Sequence, residues 1–392
     1  MELKSVLVFE PSVDGHHVGW LRFITEDLLA AGCSLTLALD TRSAAMERIN
    51  GQMSDLLPRV KVIAALPTAG RRTKTVSLSR IVACRKESGA ALAVIANFND
   101  IASNALRRAA LRLMPDESLR GRLGGIYFRP LFLNAGALSL NQMLKQIGFR
   151  RLIQNGWLNP LLMIDPLLCG LAQKTFPSAP IHLLADPYPD DFSADRAVAR
   201  RQFNLPDDKF VFLFYGGGYK RKGLHLVVEA MNRMLTPGRV FLLCAGVQPK
   251  NERLARGLEM LCRQGRAEIV NRYVSAQEEK QLFAACDMVL LPYLHHLDGS
   301  GVLSRAAGAG RPALASDEYL IGHIVRQYGM GLLFPSGNAP GLQQAMVRAA
   351  ASPDSELARW RSGAQAYAEN CSRSAFRSVL TAAIHSALAA LQ

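Results

Sequence analysis

Residues Phe210 to Gly223 read FVFLFYGGGYKRKG. Phe210–Tyr215 is an apolar run of strand length, three glycines end it, and an apolar pattern of helical spacing follows over Leu224–Met234. A buried strand that stops in glycines and passes into a helix is the opening unit of a parallel α/β sheet. Glycines at that point let backbone N–H groups approach a phosphate closely, and Lys220, Arg221 and Lys222 bring charge that would neutralise it. The loop has neither the Gly-Lys-Ser/Thr of a Walker loop nor the second glycine pair of a dinucleotide fingerprint. Phosphate binding is the expectation, and a flexible turn with solvated lysines is the alternative.

The same alternation extends in both directions. Downstream, strands are expected at Val240–Ala245, Glu268–Val270, Met288–Leu291, Ala313–Ala315 and Leu332–Phe334. Helices fit Ala276–Ala285, Val302–Ala309 and Leu320–Tyr328, and the Ala-rich tail from Pro353 to Gln392 is helical throughout. Upstream, strand-length runs recur at Ser5–Phe9, Leu35–Leu39, Val60–Ala64, Leu92–Ala96, Gly125–Phe128 and Ile181–Leu184. Between the two series, Asp186-Pro187-Tyr188-Pro189-Asp190-Asp191 packs two prolines and four polar or aromatic side chains into a turn or linker. The expected architecture is α/β, with two Rossmann-like α/β/α domains facing a central cleft. Residues 1–186 form the first, and 187–392 form the second, whose C-terminal helix packs back on the first domain in one version of this reading. Ligands in such sheets sit at the carboxyl ends of the strands.

A second motif runs from Asp298 to Pro312, DGSGVLSRAAGAGRP. A small-residue loop opens a helix whose first amides would bind an anion, helped by the helix dipole. Ser300 is also placed to cap that helix. From Val274 to Asp317 the chain resembles the retaining glycosyltransferases of family 4 and their GT-B relatives. Ser275–Lys280, the run Leu282–Pro292, the Asp298 loop and Pro312–Asp317 carry the resemblance. It extends more weakly over Phe210–Phe334. The resemblance implies transfer of a sugar from a nucleotide-diphosphate-sugar donor in glycan or polysaccharide biosynthesis, with retention of anomeric configuration and without a metal or other cofactor. Donor binding is then expected at Gly15, Gly217, Arg221, Lys222, Gly299, Ser300, Gly301, Val302, Leu303 and Arg305. Asp298 and His16 are the catalytic candidates. Lys222-Gly223 matches the family's lysine on the donor pyrophosphate. Two departures stand out: Gly216-Gly217 falls where the family has Gly-Arg, and Arg305 falls where it has its second glutamate, the ribose ligand.

The first half is less specific. Val13–His17 places a glycine loop after the first strand, and Asn97-Phe98-Asn99-Asp100 follows the Leu92–Ala96 strand. His17, Asn97, Asn99 and Asp100 are therefore acceptor-side candidates, with Asp100 alternatively capping the next helix. His295 and His296 either contact the sugar or line the loop before Asp298.

The chain has 392 residues and a net charge of +14. Its seven cysteines are scattered singly, which forms neither a disulfide framework nor a zinc motif. No secretory leader and no apolar span long enough to cross a membrane is read, so a cytoplasmic protein is expected. The positive charge is concentrated. Residues 59–86 hold eight basic residues and no acid, and residues 101–155 hold nine, with Asp116 and Glu117 the acids. A basic first half points to an anionic partner. One such partner is an anionic membrane surface with a lipid-linked acceptor, which would make the protein peripheral on the inner face of the membrane. The interspersed Val76, Leu78, Ile81, Val82, Leu111, Leu113 and Met114 are candidates for resting in it, with core faces and arginines that serve solubility alone as the alternative. A catalytically lapsed scaffold is the second reading. Nucleic-acid binding ranks last, because residues 59–86 lack aromatic side chains for stacking on bases.

Overall fold

The computed structural model describes residues 4–13, 17–66, 77–134, 139–218, 220–234, 238–248 and 251–392, the side chain of Asp100 excepted. The chain divides into two compact units, Met1–Leu184 with Phe376–Gln392, and Ala185–Ala375.

The first unit is built on seven strands: β1 (Lys4–Glu10), β2 (Cys33–Leu39), β3 (Lys61–Ala64), β4 (Leu92–Ile95), β5 (Leu123–Tyr127), β6 (Leu158–Met163) and β7 (Ile181–Leu183). They form one parallel sheet in the order β3-β2-β1-β4-β5-β6-β7. Helices α1 (His17–Ala30), α2 (Ser43–Met53), α3 (Leu78–Ser88), α4 (Asn99–Ala110), α5 (Leu140–Gln154) and α6 (Pro166–Thr175) connect them. Alternate residues of β1 enter different cores, Val6 and Val8 on one face, Leu7 and Phe9 on the other. A strand buried on both faces reads as a continuous apolar run rather than an alternating one.

Strand β6 is absent from the sequence reading, because Asn159-Pro160 sits inside it and proline cannot donate to a ladder. The sheet accommodates it locally. The β5–β6 register shifts between Leu123 and Gly125, and a Cβ on Gly124 would lie 2.8 Å from the Pro160 ring. Asp100 is not a cap either. Helix α4 begins at Asn99 with Phe98 as its N-cap, so the backbone of Asp100 is already helical.

The second unit holds α7 (Arg196–Gln202), α8 (Leu224–Asn232), α9 (Glu252–Arg263), α10 (Ala276–Ala285), α11 (Gly301–Gly308), α12 (Tyr319–Tyr328), α13 (Ala339–Ala350) and α14 (Asp354–Asn370). Its six parallel strands are β8 (Phe210–Tyr215), β9 (Val240–Ala245), β10 (Ala267–Val270), β11 (Met288–Leu291), β12 (Ala313–Ser316) and β13 (Gly331–Phe334), in the order β10-β9-β8-β11-β12-β13. Strand β8 again splits its side chains, Phe210, Phe212 and Phe214 to one core, Val211 and Leu213 to the other. Sheet order reverses at β8, between β9 and β11, which makes the carboxyl ends of β8 and β11 the switch point where ligands bind in such sheets. The last helix, α15 (Arg373–Ala389), belongs to the first unit from Phe376 onward. There Phe376 meets Trp20 edge-on at 5.4 Å and Arg377 donates to buried Asp27 at 2.7 Å. All seven cysteines are free thiols.

Candidate active site

The loop after β8 is shaped by its glycines. Gly216 donates its N–H to Ala245 and Gly218 donates to Val247, so the loop runs on beside the end of β9. That leaves the Gly217 amide as the one of the three not used in this pairing. Gly216 and Gly246 have φ of +103° and +119°, and a Cβ on Gly246 would sit 2.7 Å from the Gly216 carbonyl. A Cβ on Gly216 would in turn lie 2.4 Å from Nζ of Lys222. The glycine thus makes room for the ammonium group. Gly223 closes the loop at φ +75°, with a virtual Cβ 1.9 Å from the Pro292 carbonyl, and serves as N-cap of α8. Side chains other than glycine are excluded there by both conformation and space.

Lys222 Nζ stands 5.8 Å from the centre of the Tyr293 ring. Burial pushes its ammonium down to about 8, and the positive charges of Arg221 and Arg305 act in the same direction. A desolvated lysine beside like charges is stabilised by an anion. The segment 292–296 ties this loop to the next one. The Leu294 N–H donates to the Arg221 carbonyl at 2.7 Å. Arg221 Nη1 lies 2.9 Å from His296 Nδ1, and His296 Nε2 lies 3.0 Å from the Gly299 carbonyl. An arginine only donates and a carbonyl only accepts, so the geometry assigns the proton of this imidazole to Nε2. His296 therefore acts as a bracket between the Gly216–Gly223 and Asp298–Gly301 segments. His295, its neighbour, is exposed in a left-handed turn at φ +49°.

Helix α11 opens as the sequence suggests, with one difference. Ser300 is its N-cap by position but makes no side-chain cap hydrogen bond. Burial pushes the phenol of Tyr293 up, and the nearby Ser300 hydroxyl acts in the opposite direction. The Leu303 side chain is buried and its N–H donates to the Ser300 carbonyl at 2.8 Å. Gly301 and Val302 hold the first-turn amides that have no intrahelical partner. Asp298 and Gly299 lie half-buried in the loop just before them.

Arg305 neither projects into solvent nor stands alone. Its Nε lies 2.8 Å from Glu279 Oε1, and its Nη1 donates to the Gly301 carbonyl at 3.1 Å. Asp186 is close by on the Gly301 side, since a Cβ there would lie 3.7 Å from Asp186 Oδ2 and 3.0 Å from Arg305 Nη1. Burial opposes the charge of Arg305, but Glu279 and Asp186 outweigh it and hold the guanidinium above its ordinary value. Burial lifts the Asp186 carboxyl to about 6 against the pull of Arg305. Tyr215, at the end of β8, is pushed up by burial and then by the charge of Glu279. Glu279, Asp186 and Tyr215 were not read as site residues. They sit on a helix, a linker and a strand end, and only the fold brings them to Arg305.

This arrangement predicts an effect of neutralising Glu279. Glu279→Gln frees the Arg305 guanidinium, so affinity for a nucleoside diphosphate should rise roughly fivefold, on the order of 1 kcal/mol. Calorimetry on the variant checks it, and an unchanged affinity places Arg305 outside the anion's reach.

In the first unit, Gly15 and His16 lie outside the described residues. His17 Nδ1 is 2.9 Å from Oε2 of Glu10, a buried carboxylate at the carboxyl end of β1, and Glu10 Oε1 accepts from the Ser12 N–H. Asn97 accepts from the Asn99 N–H at 3.2 Å, and Asn99 accepts from the Arg129 N–H at 3.0 Å. These asparagines link the ends of β4 and β5, and His17 is held by Glu10. The side chain of Asp100 is not described.

The fold is that of GT-B glycosyltransferase structures. Sucrose-phosphate synthase from Thermosynechococcus elongatus is similar at 16% identity, covering 99% of this chain and 100% of that one, with a TM-score of 0.68. HepE of Anabaena, solved with UDP and glucose, is similar at 16% identity, covering 98% and 100%, with a TM-score of 0.66. WaaG, a glycosyltransferase involved in lipopolysaccharide biosynthesis, is similar at 15% identity, covering 97% and 98%, with a TM-score of 0.63. No curated protein matches the chain by sequence. Residues 209–352, which contain both the Lys222 loop and the start of α11, match the family model for glycosyl transferases group 1, so the chain carries a group 1 domain over that stretch.

Proposed function

We propose that the protein transfers a glycosyl group from a nucleoside-diphosphate sugar to an acceptor hydroxyl. The observation that carries this reading is the convergence of Lys222, Arg221 and the start of α11 at the switch point of the second sheet. Cations and preorganised amides stabilise the diphosphate as it departs with the bonding electrons and the anomeric carbon becomes cation-like. The group 1 match over residues 209–352 and the capture of UDP by HepE support a nucleotide donor. In this reading Asp298 contacts the donor sugar, and His16, by its place after β1, serves the reacting centre. The acceptor is bound by the first unit through His17, Asn97, Asn99 and Asp100. Retention of configuration follows the family 4 resemblance of Val274–Asp317. The basic 59–155 region favours a membrane-borne, lipid-linked acceptor in polysaccharide or glycan assembly.

Thermal unfolding against a panel of nucleoside diphosphates tests the donor site. A ligand at one hundred times its Kd adds about 2.7 kcal/mol to the folded state, a rise of several degrees in Tm. No shift with any member removes the donor reading. The Arg305–Glu279 pair, standing where the family has a carboxylate, favours a second reading as a lapsed transferase. That reading requires a nucleotide-induced shift together with no turnover of any nucleotide sugar.

A further inference from the structure

Among the described residues of the first unit, every exposed large apolar side chain lies between Leu111 and Leu183. The clearest group is a stripe on α5: Leu140, Met143 and Ile147 are 74%, 48% and 43% exposed. Their spacing of three and four residues puts them on one helical face. The opposite face is occupied by Phe149 and Leu152, which enter the core. Helix α5 cannot roll to hide the stripe. Gly148 is seated on α4 so closely that a Cβ would lie 1.8 Å from the Leu106 carbonyl, and Arg151 donates to the Ala109 carbonyl at 3.1 Å. Leu167 and Leu171 of α6 are likewise exposed, and Phe149 of α5 packs against Phe176 just beyond α6 at 5.8 Å.

The charges on these helices have one sign. Helix α5 contains Lys145, Arg150 and Arg151, helix α6 contains Lys174, and neither contains an aspartate or glutamate. Arg150 continues the exposed face of α5 and Lys174 that of α6. A protein partner that needed only apolar contact would not call for unopposed cations around the patch. An anionic lipid surface uses both: the leucines and methionine enter the headgroup–acyl boundary, and the cations meet phosphates.

From this we infer that the outward faces of α5 and α6 form a docking surface for an anionic membrane, a specific form of the membrane-borne acceptor reading above. The surface is not the one the sequence suggested. Ile81 and Val82 of α3 are buried in the core, Leu78 and Met114 pack partly against it, and Val76 lies outside the described residues. Leu111 and Leu113 are exposed but lie beyond the end of α4.

The test is cosedimentation of the full chain with vesicles of phosphatidylcholine alone or with about one third phosphatidylglycerol. Binding is expected to the anionic vesicles only, and to fall with salt as surface charge is screened. The Met143→Glu/Ile147→Glu double variant should bind them at least tenfold more weakly. Arg150→Glu/Lys174→Glu should do so too, since each cation near the surface contributes roughly fivefold. All four side chains are exposed, so Tm and nucleoside-diphosphate affinity should match the parent. That second measurement separates failure of the docking surface from failure of the donor reading. The inference is overturned if the parent ignores anionic vesicles at low salt, or if both variants bind as the parent does. It is equally overturned if light scattering shows a dimer that Met143→Glu/Ile147→Glu dissolves, because the patch then belongs to a second copy.

Discussion

Lys222→Ala is expected to weaken nucleoside-diphosphate binding by about 10- to 150-fold, the equivalent of roughly 1.5–3 kcal/mol for a charge-assisted contact to phosphate. Calorimetry measures it directly. The free protein should lose no stability. Nζ is set against Gly216 and near the Tyr293 ring, and burial already disfavours its charge. The pH dependence gives a second readout. With the ammonium near 8, the parent should bind progressively less well as pH rises from 7 to 9, because the deprotonated amine no longer attracts the diphosphate. The alanine variant should be flat over that range. Stability moves oppositely. Between about 8 and the ordinary lysine value of 10.5 the unfolded chain holds more protons than the folded one, so the parent gains stability with rising pH and the variant lacks that gain. An unchanged affinity in Lys222→Ala would remove the lysine from the site, whatever the fold.

Much of this site follows from local chemistry that a sequence displays. Buried parallel strands such as β8, β9 and β11 are uninterrupted apolar runs, and their ends coincide with the runs. Helix α10 announces its start through a capping box between Ser275 and Glu278. The glycine loop and Lys222 were legible because positive φ and close backbone approach demand glycine at Gly216 and Gly223. What stayed hidden depends on residues far apart in the chain. Arg305 could be read as a lost carboxylate, but nothing local tells that Glu279, 26 positions earlier and one helix away, faces it at 2.8 Å. His296 could be read as a sugar contact, and its bracket to Arg221 exists only because Leu294 is hydrogen-bonded to the same arginine. Pattern alone also left α3 open between an interface and a core face. Ile81 and Val82 beside several arginines look amphipathic, yet both pack inward. On α5 the apolar residues face both ways, which periodicity counts as weak amphipathicity although it leaves an exposed stripe.

Asp287→Ala is expected to have the largest effect on stability, about 3–5 kcal/mol, as for other buried ion pairs broken from one side. Asp287 begins the turn into β11 and is buried with Arg200 of α7. Its Oδ2 accepts from Arg200 Nη2 at 2.6 Å and from the Val211 N–H at 2.8 Å, and Oδ1 pairs with Arg196. Arg200 in addition donates through Nε to the Ala285 carbonyl at 3.1 Å and through Nη1 to the Pro206 carbonyl at 3.2 Å. The carboxylate therefore joins α7 to the start of β8, and β8 carries the glycine loop. Removing it leaves a buried guanidinium without its counter-charge, while burial already pulls that guanidinium below its ordinary value. For a unit of this size the loss corresponds to a fall in Tm of roughly 6–20 °C. Nucleotide affinity measured well below the new Tm should be retained, since Asp287 sits at the amino end of β11 and the anion site at the carboxyl end of β8. Arg200→Met in the Asp287→Leu background should recover part of the loss, because an apolar pair avoids the desolvation that the single change exposes. A fall of less than about 3 °C in Asp287→Ala, checked by calorimetric unfolding, would mean that water or neighbouring carbonyls already satisfy Arg200, and that α7 is held to the sheet by Phe203 and Ala199 packing instead.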